Sequence, residues 1–140
     1  MKVFERLYYH SALFANDMKH IHLHACGKRF DMIHNLTSEY YDKAFSDSDD
    51  IAEIALELGE KIRNPSIARE YLKYNIADKD EYYWEDAIEE ISKRISSYII
   101  SLELVRNSEE VPSDIISLLD EKLRYWKKEN NYKNNRRRME

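Results

Sequence analysis

Between Gly27 and Gly59 the chain runs without a Gly or Pro, and apolar residues recur along it at helical spacing. Phe30, Ile33, Thr37, Tyr40, Tyr41, Ala44, Ile51, Ala55 and Leu58 fall on one side of such a helix, with Asp31 as a plausible cap at its start. The poor helix formers of Ser46 to Asp50 (SDSDD) interrupt the pattern. The apolar phase resumes correctly at Ile51 and Ala55, so one continuous helix is expected rather than a break and a new cap. A helix that long needs a partner of similar length to cover its apolar side.

The preceding stretch supplies one. Phe4, Leu7, Ser11, Phe14, Met18, Ile21 and Ala25 alternate at spacings of three and four, a narrow helical stripe that ends at Gly27, a residue suited to a left-handed turn. After Gly59, Asn64-Pro65-Ser66 reads as a turn and cap. SIAREYLKY then reads as a short helix inside a long connection. A third long stripe carries Trp84, Ile88, Ile91, Ile95, Tyr98, Leu102 and Val105. NSEEVPS breaks it, and from Pro112 or Ser113 a fourth helix carries Ile115, Leu119, Leu123 and Trp126. The connections run short, long, short, which is the connectivity of an all-α, ferritin-like four-helix bundle with a crossover carrying a short helix between the second and third helices. The expected division is a bundle over 1–126 and a flexible basic tail over 127–140, since NNYKNNRRRME has no apolar period.

Composition narrows the function classes. The single cysteine, Cys26, excludes an internal disulfide and fits a reducing compartment. MKVFERLYYH lacks the unbroken apolar core of a secretory leader, and no segment approaches the length of a membrane span, so a cytoplasmic protein is expected. No Gly-rich phosphate loop follows a strand pattern, and no Ser-His-Asp order is present. The net charge of −5 is unevenly spread. The tail holds six basic residues (Lys127, Lys128, Lys133, Arg136, Arg137, Arg138) against Glu129 and Glu140, so it carries +4 and the rest of the chain −9. An acidic body attracts cations, whereas a basic tail can reach phosphates such as those of DNA. Most of the eleven tyrosines fall on helix faces and read as packing or interface surface. A Tyr beside a metal site can also relay an electron.

The chemistry concentrates on four residues. His22 lies five residues before Gly27 and His34 seven after it. At ~1.5 Å rise per residue they stand roughly 7 and 10 Å from the turn on antiparallel neighbours, level with each other. Asp49 and Glu53, four residues apart, share a helix face. Glu53 is nonetheless 19 residues beyond His34, roughly 28 Å along the same helix. One chain therefore cannot close a site from all four. Two copies of this helix, antiparallel about a midpoint near Lys43, bring the histidine end of one against the carboxylate end of the other and make two equal sites by two-fold symmetry. Imidazole with carboxylate suits Fe(II), and also zinc or manganese. His20 and His24, likewise four residues apart, form a second pair on a different face.

The pattern H-x₄-G-x₆-H, then D-x₃-E, then L-G (His22, Gly27, His34, Asp49, Glu53, Leu58-Gly59) resembles the Dps family of miniferritins. Its spacing is matched without a gap as far as Gly59. PSIAREYLKYNIAD resembles the family's short crossover helix, and SEEVPSDIISLLDEKLRYW its last helix. The resemblance implies a hollow shell of twelve subunits with iron sites at two-fold interfaces, histidines from one subunit and carboxylates from the other. There Fe(II) is oxidised, usually by hydrogen peroxide, and stored as ferric mineral. Many members also bind DNA through basic tails. The chain departs from the family where a carboxylate usually stands four residues after the second histidine: that position is Ser38, with Glu39 rotated by about 100° from it. Where an aromatic commonly follows the first histidine, Leu23 stands. By resemblance His22, Asp49 and Glu53 keep one iron position intact, and the one using His34 lacks an anionic ligand. A hydroxyl holds a hard cation far less well than a carboxylate.

Overall fold

The structure is a computed structural model and describes residues 1–139. Every element of it is helical: α1 (Val3–His24), α2 (Phe30–Glu57), α3 (Pro65–Tyr71), α4 (Trp84–Arg106) and α5 (Ser113–Lys127), the last followed by a π-helix (Lys128–Asn134) and a closing turn, α6 (Asn135–Arg137). The chain divides into two compact units, residues 1–87 and the remainder.

In the first unit α1 and α2 pack along their lengths. They are antiparallel, because His22 and His34 exchange hydrogen bonds beside the turn while Glu5 N–H donates to Glu60 Oε1, 2.8 Å away, at the far end. All seven residues of the α1 stripe are buried, as are Ile33, Thr37, Tyr40, Ala44, Ile51 and Ala55 of α2. Phe30 and Leu58 are exposed instead, at 39% and 43%, because they lie at the two ends of α2, beyond the cover of α1.

Helix α2 is continuous through SDSDD. The two residues that turn inward there bring their own polar partners. Asp47, fully buried, takes an ion pair 3.0 Å long from Lys43 one turn back, and Ser48 Oγ donates to Phe45 O at 2.8 Å. Side chains that would compete for the backbone are thereby satisfied within the helix. The C-terminus of α2 closes as a Schellman motif: Gly59, at φ +79°, sends its N–H to Leu56 O, and Glu60 N–H reaches Ala55 O.

The start of α2 differs from expectation. Asp31 does not cap it. Arg29, in the left-handed region at φ 64°, precedes Phe30 without a side-chain cap, and its guanidinium lies 4.7 Å from the centre of the Trp84 ring. Nor does Gly27 directly end α1. The helix stops at His24 because Ala25 and Cys26 straighten to meet the end of the crossover: Tyr82 N–H donates to His24 O and Cys26 N–H to Tyr82 O. Gly27, at φ +79°, then lies under Tyr83, whose Cδ1 would be 2.8 Å from an added Cβ.

Gly27→Ala therefore meets both a left-handed penalty of about 1–2 kcal/mol and an overlap with Tyr83 of about 1 kcal/mol or more. It should lower Tm by roughly 10 °C. Gly59→Ala has nothing within 4 Å of its Cβ and should lose only the first part, about half as much. Paired thermal melts check the difference.

The crossover is fastened to one face of α1. Asn64 Oδ1 accepts Ser66 N–H and opens α3 as the sequence indicates. Arg63 N–H donates to the Tyr9 hydroxyl. Asp17, 2% exposed, accepts the Tyr74 hydroxyl and Ala77 N–H. His20 Nε2–H donates to Lys79 O at 2.9 Å. Asp17, His20 and His24 recur every three or four residues, so one side of α1 serves as a rail for residues 74–82.

In the second unit Ile88, Ile91, Ile95, Tyr98, Leu102 and Val105 of α4 and Ile115, Leu119, Leu123 and Trp126 of α5 are buried, with Tyr98 set edge-on to Trp126 at 5.7 Å, whereas Ile100 and Leu104 are exposed. Arg106 pairs with Asp120 and Lys127 with Glu103. The tail departs most from expectation. Instead of a mobile segment it continues α5 as the π-helix, with Glu129, Asn130 and Asn134 buried. Its inward face is polar: Asn130 Nδ2 donates to Ser96 Oγ at 2.9 Å and to Ser92 O at 3.3 Å. An apolar period cannot reveal a segment held this way. Among the described residues, no helix is long and apolar enough to cross a membrane.

Candidate metal centre

The two histidines beside the α1–α2 turn hold each other. His22 Nδ1–H donates to His34 O at 2.6 Å, and His34 Nδ1–H donates to His22 O at 3.0 Å. A carbonyl only accepts, so each neutral ring carries its proton on Nδ1 and keeps a lone pair on Nε2. The rings lie stacked, centroids 3.7 Å apart and 20° from parallel. Tyr41 stacks on His22 at 5.3 Å, and Phe30 on His34 at 5.0 Å. Ring orientation and tautomer are thus fixed before any ligand arrives. Ligating histidines need this of their second nitrogen, which normally donates to a carbonyl or carboxylate.

Asp49 and Glu53 stand elsewhere. Both are exposed on the distal half of α2. The continuity of α2 turns their sequence spacing into distance: at ~1.5 Å per residue they lie roughly 22 and 28 Å from His34. Among the described residues no three His, Cys, Asp or Glu side chains converge closely enough to hold an ion. The structure therefore brings His22 to His34 and leaves the carboxylates apart within one chain. Ser38 is half-buried one turn beyond His34.

His20 and His24 are differently employed. Their rings stack at 4.1 Å, His24 Nδ1–H donates to His20 O at 2.8 Å, and His20 Nε2 is committed to Lys79 O. Missed by sequence reasoning were the reciprocal carbonyl bonds of His22 and His34 and the aromatic stack over them. The positions of Tyr41 and Phe30, near helical neighbours of His34, are the only signal that hints at it.

Four of the six basic tail residues lie against carboxylates. Lys133 is 2.7 Å from Glu129, Arg138 2.9 Å from Glu89, Lys127 3.6 Å from Glu103 and Arg137 3.9 Å from Glu129. Among the described residues Lys128 and Arg136 have no such pair.

No protein-family model matches the chain, and no curated protein does. Among solved structures it is similar to the crystal structure of antigen TpF1 from Treponema pallidum, with a TM-score of 0.77 and 21% identity, covering 90% of this chain and 85% of that one. At that identity the likeness shows the fold alone, and the fold is the all-α, ferritin-like bundle that the order of long and short connections led us to expect.

Proposed function

We propose that the chain is a Dps-like, cytoplasmic iron protein. In this reading it binds Fe(II) at sites shared by two subunits, oxidises it with hydrogen peroxide and stores the ferric product in a dodecameric shell, sparing DNA from hydroxyl radicals. The observation that carries the reading is the His22–His34 pair, whose Nδ1 atoms are both spent on backbone carbonyls so that both Nε2 atoms remain for a metal. In the reaction two Fe(II) each give one electron to a peroxide, its O–O bond breaks, and two protons complete two waters. Zinc and manganese suit the same donors and would compete.

The exposed surface of α2 supports the two-fold partner. Phe30, Phe45 and Leu56 are exposed and Tyr41 half-exposed, on a face turned about 100° from the buried stripe. About Lys43 these positions mirror each other: Phe30 and Leu56 lie thirteen residues to either side, Tyr41 and Phe45 two. Antiparallel pairing of two such helices sets Phe30 on Leu56, Tyr41 on Phe45 and His34 level with Ala52 and Glu53, so apolar burial and assembly of the site require the same register.

Anaerobic Fe(II) titration of the purified oligomer, followed by peroxide, tests the reading. Saturable binding with rapid oxidation is expected, and no saturable binding sinks it. Ser38 favours a second reading, a shell or dimer whose oxidase site is impaired and which acts through DNA or a protein partner. One iron per site without fast turnover would select it. The tail tempers the DNA part. With Lys128 and Arg136 outside ion pairs among the described residues, about two phosphates are neutralised per tail, so log K should fall against log salt with a slope of about −2 per engaged tail. A steeper slope in a salt series would show that the four ion pairs open on DNA.

A further inference from the structure

Tyr9, Tyr74 and Tyr83 each place a hydroxyl on a carboxylate. Tyr83 donates to Glu81 at 2.9 Å, Tyr9 to Glu5 at 2.8 Å and Tyr74 to Asp17 at 2.5 Å. Their surroundings separate them. Tyr83 is exposed, so water competes for both groups. The Tyr9 oxygen also accepts Arg63 N–H at 2.8 Å, a bond that withdraws electron density from the phenol. Tyr74 is half-buried, its bond is the shortest of the three, and its acceptor, Asp17, is 2% exposed. The second Asp17 oxygen takes Ala77 N–H at 3.0 Å, which holds the carboxylate in place. The edge of His10 lies against the Tyr74 ring with centroids 5.6 Å apart.

Removing an electron from a phenol makes its proton strongly acidic, so oxidation is easy only where a base already holds that proton. We propose that Tyr74 is a one-electron donor, a radical sink, with Asp17 as its dedicated proton acceptor. The oxidant is a hydroxyl radical, the species that Fe(II) and peroxide generate. It takes one electron from Tyr74 and becomes hydroxide, which solvent protonates to water. The phenolic O–H bond breaks as the proton crosses to Asp17 Oδ2, leaving a neutral phenoxyl radical that accepts a hydrogen bond from the new carboxylic acid. No charge is created in the buried pocket beyond the one Asp17 already carried, and the proton returns along the same bond when the radical is reduced. Asp17 lies five residues before His22 on α1, about 7.5 Å along the axis and turned about 140° from it. The donor pair itself does not depend on the proposed metal site.

The experiment uses the full chain without iron, so that its failure and the failure of the iron reading are distinguishable. A photo-oxidised ruthenium–bipyridyl complex with persulfate serves as the one-electron oxidant, and electron paramagnetic resonance reads the tyrosyl signal. Most of the early signal should disappear in Tyr74→Phe and persist in Tyr9→Phe and Tyr83→Phe. Asp17→Asn, which keeps the phenol and removes the base, should slow signal formation about a hundredfold, the usual scale for a positioned general base. Asp17→Glu should restore part of the rate, and heavy water should slow the wild type but not Asp17→Asn. Circular dichroism confirms that each variant is folded. A loss of about one-eleventh in Tyr74→Phe, the share expected if all eleven tyrosines reacted alike, overturns the proposal, as does an unchanged rate in Asp17→Asn.

Discussion

A chain carrying His22→Ala and His34→Ala, mixed with one carrying Asp49→Ala and Glu53→Ala, should recover iron binding that neither has alone. Each variant by itself lacks half of every site. In a mixed dimer one interface site unites both damaged halves and the other unites both intact halves. Random assortment therefore restores about a quarter of the wild-type sites, after unfolding and reassembly of the oligomers together. Single substitutions should be severe too. Glu53→Ala removes one of the two carboxylates that match the site's charge to a dication, and its affinity for Fe(II) should fall about a hundredfold or more. His24→Ala should leave binding unchanged, and a reversal of these two results would move the site to the His20/His24 face. Recovery in the mixture cannot arise from a site within one chain, so the same titration distinguishes a shared site from a local one.

The second large effect concerns acid. Burial, with a smaller contribution from the charge of Arg6, pushes the His10 imidazole down from 6.5 to about 4. In the unfolded chain His10 takes up its proton near pH 6.5, whereas in the folded protein it stays neutral until about pH 4. Between these values the unfolded state binds more protons. Stability is thus complete above pH 6.5 and is lost as pH falls, by about 1.4 kcal/mol per unit and roughly 3 kcal/mol in all. His10→Leu removes this dependence while keeping an apolar side chain of similar volume. Urea unfolding at pH 7 and at pH 4.5 should show wild type losing about 2–3 kcal/mol more than the variant. Taking the difference between the two proteins cancels the carboxylates that titrate in the same range.

The long helices were legible because the physics that forms them is periodic. Phe4 to Ala25 and Ile33 to Ala55 bury one stripe each, and no other element fits that spacing. The continuity of α2 could be read from the phase of Ile51 and Ala55, but what accommodates it could not: the buried Asp47 pairs with Lys43 one turn back. Asp17 looked like any polar residue beside an apolar stripe, yet it fixes the crossover through two hydrogen bonds to residues about sixty positions away. Contacts at that separation leave no periodic trace. The tail was misread for a related reason, since Asn130 is buried by hydrogen bonds to Ser92 and Ser96 rather than by apolar contact. For the candidate site, counting along the helices was enough to set His22 level with His34. Their mutual bonds depend on side-chain rotamers, which spacing does not encode.

Helix α2 keeps its two kinds of information on separate faces. The residues that bury it against α1 fall on one stripe, and His34, Ser38, Asp49 and Glu53 lie outside the fully buried set. Substitution at Ser38, Asp49 or Glu53 can change the chemistry with little effect on the packing. A metal site on that face can therefore be gained, weakened or exchanged while the bundle persists.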